Sequence, residues 1–205
     1  MQGVIRRRPE SHHTWIVNLC VTVLVMGAFS SSTVIGQTRA VRVGIYQNEP
    51  KIFMDENGQP AGIFTELLNE IAAQEGWTLV YVRCEWVACL QALEDGLIDL
   101  MPDVAYSVER DVLLDFHKTP VLESWSRVYA SPDASINKIS DLDGKRVAVL
   151  EGSIQQTVFD QLMNGFGYKV TIISADSFEQ AFALAVDGSA DAAIANHLFL
   201  SLIHI

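Results

Sequence analysis

From Val41 onward, apolar residues fall into two alternating rhythms: short β-rich runs, and longer stretches with an apolar residue every three or four positions. Residues 41–46 read as a strand, followed by a loop with a turn at Asp55-Glu56-Asn57-Gly58. Phe64, Leu67, Leu68 and Ile71 then recur at helical spacing, and 78–82 is a near-continuous apolar strand. Trp86, Leu90, Leu93 and Leu97 mark a second helix that stops near Gly96. The same order returns as strand 146–150, helix 154–163, strand 170–173 and helix 178–187. Strands alternating with helices predict an α/β architecture with mostly parallel sheets.

Two phrases recur in matching places. Gly76-Trp77 is echoed by Gly167-Tyr168, and Asp95-Gly96-x-x-Asp99 by Asp187-Gly188-x-x-Asp191, at separations of 91 and 92 residues. Glycine is common wherever a helix must stop before a strand, but two echoes in register with one element order point to a pair of similar lobes. Ligands of open α/β sheets bind beyond the carboxyl ends of the strands, so facing lobes make a cleft. The extended stretch Ser126-Arg127-Val128-Tyr129-Ala130-Ser131 lies between the halves and is the natural first hinge. The expected organisation is a leader at 1–36, a first lobe at 37–127, a hinge at 128–131 and a second lobe at 132–199.

The leader reading rests on Arg6, Arg7 and Arg8, an apolar run at 15–29 and small polar residues after it, the layout of a secretory signal. Cleavage is expected near Gly36, and a retained N-terminal anchor is the alternative. Cys20 lacks the small preceding residue of a lipoprotein signal and reads as a buried apolar cysteine. Removing 1–36 leaves 11 basic and 24 acidic side chains, a net charge of −13, which argues against nucleic acid as a partner. Export puts the remaining cysteines, Cys84 and Cys89, where a disulfide persists. They sit at a strand-to-helix corner able to bring their Cα atoms together, so a disulfide is expected, with two separately buried thiols as the alternative.

Catalytic constellations are hard to find. The chain has no Gly-x-Ser-x-Gly elbow, no Gly-x-x-x-x-Gly-Lys loop and no His-Glu-x-x-His helix, and His117, His197 and His204 stand singly. No cofactor or metal is expected. Arg110 is more informative, because it follows the polar turn Ala105-Tyr106-Ser107-Val108-Glu109 beyond the strand end Leu100-Met101. A guanidinium there can grip a ligand carboxylate bidentately, or else pair with Glu109 or Asp111. In the second half Glu151-Gly152-Ser153 leads into a helix whose first N–H groups and Ser153 hydroxyl can hold an acceptor, with simple N-capping by Ser153 compatible.

The chain resembles the family 3 extracellular solute-binding proteins, which include periplasmic receptors for polar amino acids. The likeness runs from about Arg42 to Asn196 and rests on several phrases in order. They are Val43-Gly44-Ile45-Tyr46; Asn57-Gly58-x-x-Ala61-Gly62 before Leu67-Leu68; Leu93-x-x-Gly96-x-Ile98-Asp99; Ser107-x-Glu109-Arg110; Asp115-Phe116-x-x-Thr119-Pro120; and Leu142-x-Gly144-Lys145-x-Val147-Ala148-Val149-x-x-Gly152-Ser153. The resemblance implies a two-lobed, type II periplasmic-binding-protein fold and a cleft binder rather than an enzyme. In it Arg110 takes a ligand carboxylate, Ser107 and nearby backbone such as Ala105 assist, Tyr46 forms an aromatic wall, and Ser153 contributes from the second lobe. Where amino-acid receptors hold the ligand's amine with an acid, this chain has Asn196, so a polar solute or carboxylate without that amine fits as well.

The cysteine pair around Glu85-Trp86 and the phrase from Leu100 to Tyr106 look more like sensor domains of membrane kinases or cyclases than free transport receptors. The partner is then either an ABC permease or the protein's own further transmembrane and signalling domains. Enzymes on the same fold, dehydratases and the regulatory part of lytic transglycosylases, are the rival class. Their nearest candidate residues here are Asp103 and His117, neither with an evident partner in the sequence. Residues 200–205, Leu-Ser-Leu-Ile-His-Ile, match the translation of a sequencing-library adapter, so the chain is expected to be cut before a second hinge strand returns to the first lobe.

Overall fold

The computed structural model describes residues 2–6, 38–130 and 132–199. In chain order the first lobe holds β1 (Gln2–Arg6), β2 (Arg39–Ile45), the small hairpin β3 (Phe53–Met54) and β4 (Pro60–Ala61), and α1 (Ile63–Glu75). It continues with β5 (Trp77–Arg83), α2 (Trp86–Glu94), β6 (Leu100–Val104), α3 (Val108–Leu113) and β7 (Leu114–Phe116). The second lobe holds β8 (Ser126–Ala130), β9 (Arg146–Leu150), α4 (Ile154–Phe166), β10 (Thr171–Ala175), α5 (Phe178–Val186) and β11 (Ala192–Asn196). The two main sheets run β5-β2-β6-β1-β7 and β10-β9-β11-β8. In each, one interior strand, β2 or β9, is parallel to both neighbours. This is the two-lobed α/β arrangement of type II periplasmic binding proteins.

Two strand placements bear on segments read from the sequence. Ser126–Ala130 pairs along its whole length, antiparallel, with β11, so residues 128–130 of the stretch read as a hinge at 128–131 form an edge strand of the second sheet, and Ser131 lies outside the described residues. The chain changes lobes in the irregular stretch 117–125 just before it. Gln2–Arg6, inside the segment read as a leader, runs antiparallel between β6 and β7. The rest of that segment, and residues 200–205, lie outside the described residues.

The internal echo has a physical cause in each phrase. Gly76 and Gly167 close α1 and α4 in the left-handed conformation, φ 66° and 73°, where a Cβ would be strained. Asp99 clasps β2 and Asp191 clasps β9, each through an arginine of that strand. Asp99 accepts from the Arg42 backbone N–H and Nε at 2.9 Å each and from Nη2 at 2.9 Å. Asp191 does the same with Arg146, at 2.8, 3.3 and 2.8 Å. Each arginine also reaches the echoed glycine's carbonyl, Gly96 or Gly188.

These clasps set an acid limit. The Arg42 side-chain bonds, aided by its backbone N–H, hold the Asp99 carboxyl down to about 2, and Arg146 lowers Asp191 in the same way. A carboxyl depressed below its unfolded value of about 3.9 stabilises the fold above that pH and loses its contribution as pH falls toward the folded value. The melting temperature should therefore drop between about pH 4 and pH 2. An Asp99→Asn/Asp191→Asn variant should show a flatter acid profile in the same scan, and an unchanged profile would exclude the clasps as its source.

Packing ties the lobes together. Val147 and Val149 of β9 face Phe159 and Met163 of α4, while Ala148 points to the opposite face, against the small residues Ala181 of α5 and Ala193 of β11. A separate apolar cluster runs from Ile45, Tyr46, Trp86 and Leu93 of the first lobe to Leu150 and Phe178 of the second. Cys84 and Cys89 form a disulfide, with Cα atoms 5.3 Å apart, that braces the start of α2 and hence Trp86. Gly44 lies beneath it, since a Cβ there would sit 2.6 Å from Ile98 Cδ1 and 3.5 Å from Cys89 Sγ.

Candidate functional site

The carboxyl ends of the strands of both lobes converge on one closed cleft with only about 20 Å³ left at its centre, space for one or two waters. The first lobe supplies Tyr46, just past β2, Asn48 and Lys51 of the following loop, Trp86, Asp103 of β6, and Arg110 of α3. The second supplies Leu150 at the end of β9, Ser153 to Gln155 at the start of α4, Phe178, and Asn196 at the end of β11.

Arg110 brings a positive charge to this wall. Its guanidinium donates to the Ala105 carbonyl at 2.8 Å and, across the cleft, to the Gly152 carbonyl at 2.9 Å, and stacks over the Trp86 ring at 5.4 Å. It therefore turns into the cleft rather than toward Glu109 or Asp111. Its hydrogen bonds go to neutral carbonyls, and burial lowers its pKa, an effect that the nearby Glu109 charge offsets only in part. Trp86 Nε1–H is also buried and meets no acceptor among the described residues. Each such donor is costly until an acceptor arrives.

Beneath Arg110 lies a fully buried ion pair. Lys51 Nζ stands 2.8 and 2.9 Å from the two Asp103 oxygens, with both side chains at 0% exposure. Asp103 Oδ2 also accepts from Asn48 Nδ2 at 2.7 Å and from the Tyr46 hydroxyl at 3.1 Å. Burial pushes the Asp103 carboxyl up and pulls the Lys51 amine down, while their mutual attraction opposes both. Desolvation and the neighbouring Asp103 hold the Tyr46 hydroxyl well above its ordinary range. Asp103 has φ 61°, a left-handed backbone that costs a non-glycine residue about 1–2 kcal/mol. Such strain collects at functional sites. Lys51 is fixed from the other side by α1, whose Ile63 and Phe64 N–H groups donate to the Pro50 and Lys51 carbonyls. That approach requires Gly62, φ 106°, because a Cβ would lie 2.6 Å from the Lys51 oxygen.

Across the cleft, buried Ser153 caps α4 by accepting from the Gln156 N–H at 3.2 Å, leaving its hydroxyl proton available. Asn196 Oδ1 accepts from the Leu198 and Phe199 N–H groups, and its Nδ2 donates to Asn48 Oδ1 at 3.2 Å, a second bond between the lobes.

Of the residues expected from sequence, Tyr46, Ala105, Arg110, Ser153 and Asn196 line the cleft. Ser107 does not line it; it caps α3, accepting from the Arg110 N–H at 3.3 Å, and so positions Arg110 instead. Asp103, for which the sequence offers no evident partner, has three. His117 lies elsewhere, in an apolar hollow of about 520 Å³ on the first lobe with Phe64, Leu68, Trp77 and Pro120. Sequence reasoning missed Lys51, Asn48, Trp86 and Phe178 as cleft residues. Their one sequence signal is position, just beyond a strand's carboxyl end or at a helix start. Among the described residues no group of three or more His, Cys, Asp or Glu side chains could hold a metal.

Comparison with known proteins places this geometry. The sequence profile of the bacterial extracellular solute-binding proteins, family 3, matches residues 41–142, and that of the NMT1/THI5-like proteins matches 98–201. The chain is 32% identical over 166 residues to the amino-acid-binding protein AabA of Dichelobacter nodosus, covering 76% of this chain and 63% of that protein. Among solved structures it is similar to an ancestral arginine-binding protein bound to arginine, with TM-score 0.71, 27% identity and coverage of 80% and 73% of the two chains. It is also similar to the ancestral amino-acid-binding protein AncCDT-1, a precursor of cyclohexadienyl dehydratase, with TM-score 0.68, 25% identity and coverage of 77% and 71%. The chain thus spans under two thirds of AabA's length. A two-lobed fold, a cleft at the strand ends and these matches converge on one family: the chain is similar in sequence and fold to the bacterial extracellular solute-binding proteins of family 3.

Proposed function

We propose that this chain is an exported, non-catalytic receptor whose interlobe cleft takes a small carboxylate-bearing solute, with Arg110 as its anchor. The observation that carries the reading is the Arg110 guanidinium, inside the cleft and bonded to carbonyls alone. A ligand carboxylate supplies a countercharge in direct contact and two parallel hydrogen bonds. The Trp86 indole N–H, the Ser153 hydroxyl and the first turn of α4 add neutral donors. AabA, named for binding amino acids, and the arginine-bound ancestral protein support a carboxylate as the shared chemical feature. The closed lobe pair is then read by an ABC permease, or by membrane-anchored signalling domains of the same protein.

The test is a thermal-shift screen of the full chain against small carboxylates, neutral sugars and amines lacking a carboxylate. Carboxylates should raise the melting temperature, with about 2.7 kcal/mol of stabilisation at a hundredfold excess over Kd. A response to sugars or simple amines alone would contradict the reading.

A further inference from the structure

Hydrogen-bonding capacity around the cleft is lopsided. Donors remain on Arg110, Trp86 and Ser153, whereas the strong acceptors are spent. Arg110 itself occupies the Ala105 and Gly152 carbonyls, and Asn196 Oδ1 is taken by two backbone N–H groups. Asp103 is the one acidic residue in the lining, and Lys51, Tyr46 and Asn48 surround its carboxylate. Among the described lining residues, neutral groups such as the Gln155 amide are what is left for a cationic ligand group. An ammonium entering here would lose its hydration, meet no unpaired countercharge, and face the positive Arg110.

We propose that Lys51 is a built-in counter-ion for Asp103 that sets selectivity: by filling the one carboxylate among the described residues of the cleft lining, it makes the site prefer a carboxylic acid without an α-amino group over the corresponding amino acid. The inference rests on the carboxylate reading of the cleft and deepens it. Both halves of the pair are held in place for this role. The first turn of α1 grips the Lys51 backbone, with Gly62 permitting the contact, and Asp103 keeps its carboxylate aimed inward from a left-handed backbone. A lysine that merely neutralised a stray charge would not need a strained partner at the wall of a ligand cleft.

Matched pairs test it: propionate against alanine, succinate against aspartate, and glutarate against glutamate, titrated calorimetrically into the full chain. For the pair whose acid binds, the wild-type chain should take the amine-free acid at least about tenfold more tightly. In Lys51→Gln the Asp103 carboxylate is released to an incoming ammonium, so the ratio should collapse or invert. In Lys51→Gln/Asp103→Asn, with no carboxylate left, the preference for the amine-free acid should return. Should Lys51→Gln not fold by circular dichroism, the wild type and the double variant decide, since both must prefer the amine-free acid. A wild type that prefers the amino acid, or a folded Lys51→Gln with the wild-type ratio, overturns the inference while leaving a carboxylate site intact. Absence of binding by either member of every pair would instead remove the carboxylate reading itself.

Discussion

Replacing Lys51 by methionine should lower the unfolding free energy by about 3–5 kcal/mol, the cost of stranding one member of a buried ion pair. Methionine keeps the length and apolar stem of the side chain, so packing changes little and the loss is electrostatic. Asp103, at 0% exposure, would retain the Asn48 and Tyr46 hydrogen bonds but no countercharge. A carboxyl in that position relieves itself by taking up a proton, so the deficit should shrink as the pH is lowered. The double variant Lys51→Met/Asp103→Leu removes both charges and should recover most of the stability, because a buried pair is worth little against an apolar replacement. Urea unfolding of the three proteins checks the order. A single variant as stable as the double would mean that the pair is not buried as described.

This pair also shows where the sequence stopped being legible. Lys51 and Asp103 are 52 residues apart, and a lysine in a loop after a strand ordinarily reads as solvated charge. Nothing local marks it, because the burial comes from α1 folding over the loop and from the second lobe closing on it. Trp86 and Phe178 look like ordinary apolar positions of helical repeats. Their place in the first turn of α2 and α5 points them at the cleft instead.

The elements themselves were readable, because both hydrophobic rhythms are strong. Residues 146–150 coincide with β9, and α1, α4 and α5 follow their apolar faces. Arg110 and Ser153 stood out for a related reason: each sits beyond a strand end, where the topology of open sheets puts ligands. The echoed glycines and aspartates carried a real repeat, visible once Arg42 and Arg146 are seen to clasp Asp99 and Asp191. Strand pairing was not legible. The run Ser126–Ala130 has an extended pattern whether it spans two lobes or edges one sheet, and only its ladder with β11 decides for the latter. The same holds for Gln2–Arg6, whose seat between β6 and β7 depends on partners about 95 to 110 residues away.

Arg110→Ala should weaken binding of the cognate acid by about a hundredfold or more. Two charge-assisted hydrogen bonds to a carboxylate are each worth about 1.5–3 kcal/mol, and each 1.4 kcal/mol is tenfold in affinity. Stability without ligand should change far less, since the bonds lost from Arg110 are to the carbonyls of Ala105 and Gly152, which water can reach once the lobes part. Lysine at this position should rescue only partly, because an ammonium cannot present two parallel donors. Isothermal titration of the acid that most stabilises the full chain, into wild type and Arg110→Ala side by side, tests the cleft assignment most directly. Saturable binding in the wild type that falls a hundredfold or more in a folded Arg110→Ala is the predicted result. Equal affinity in the two proteins would contradict it and place the carboxylate site elsewhere.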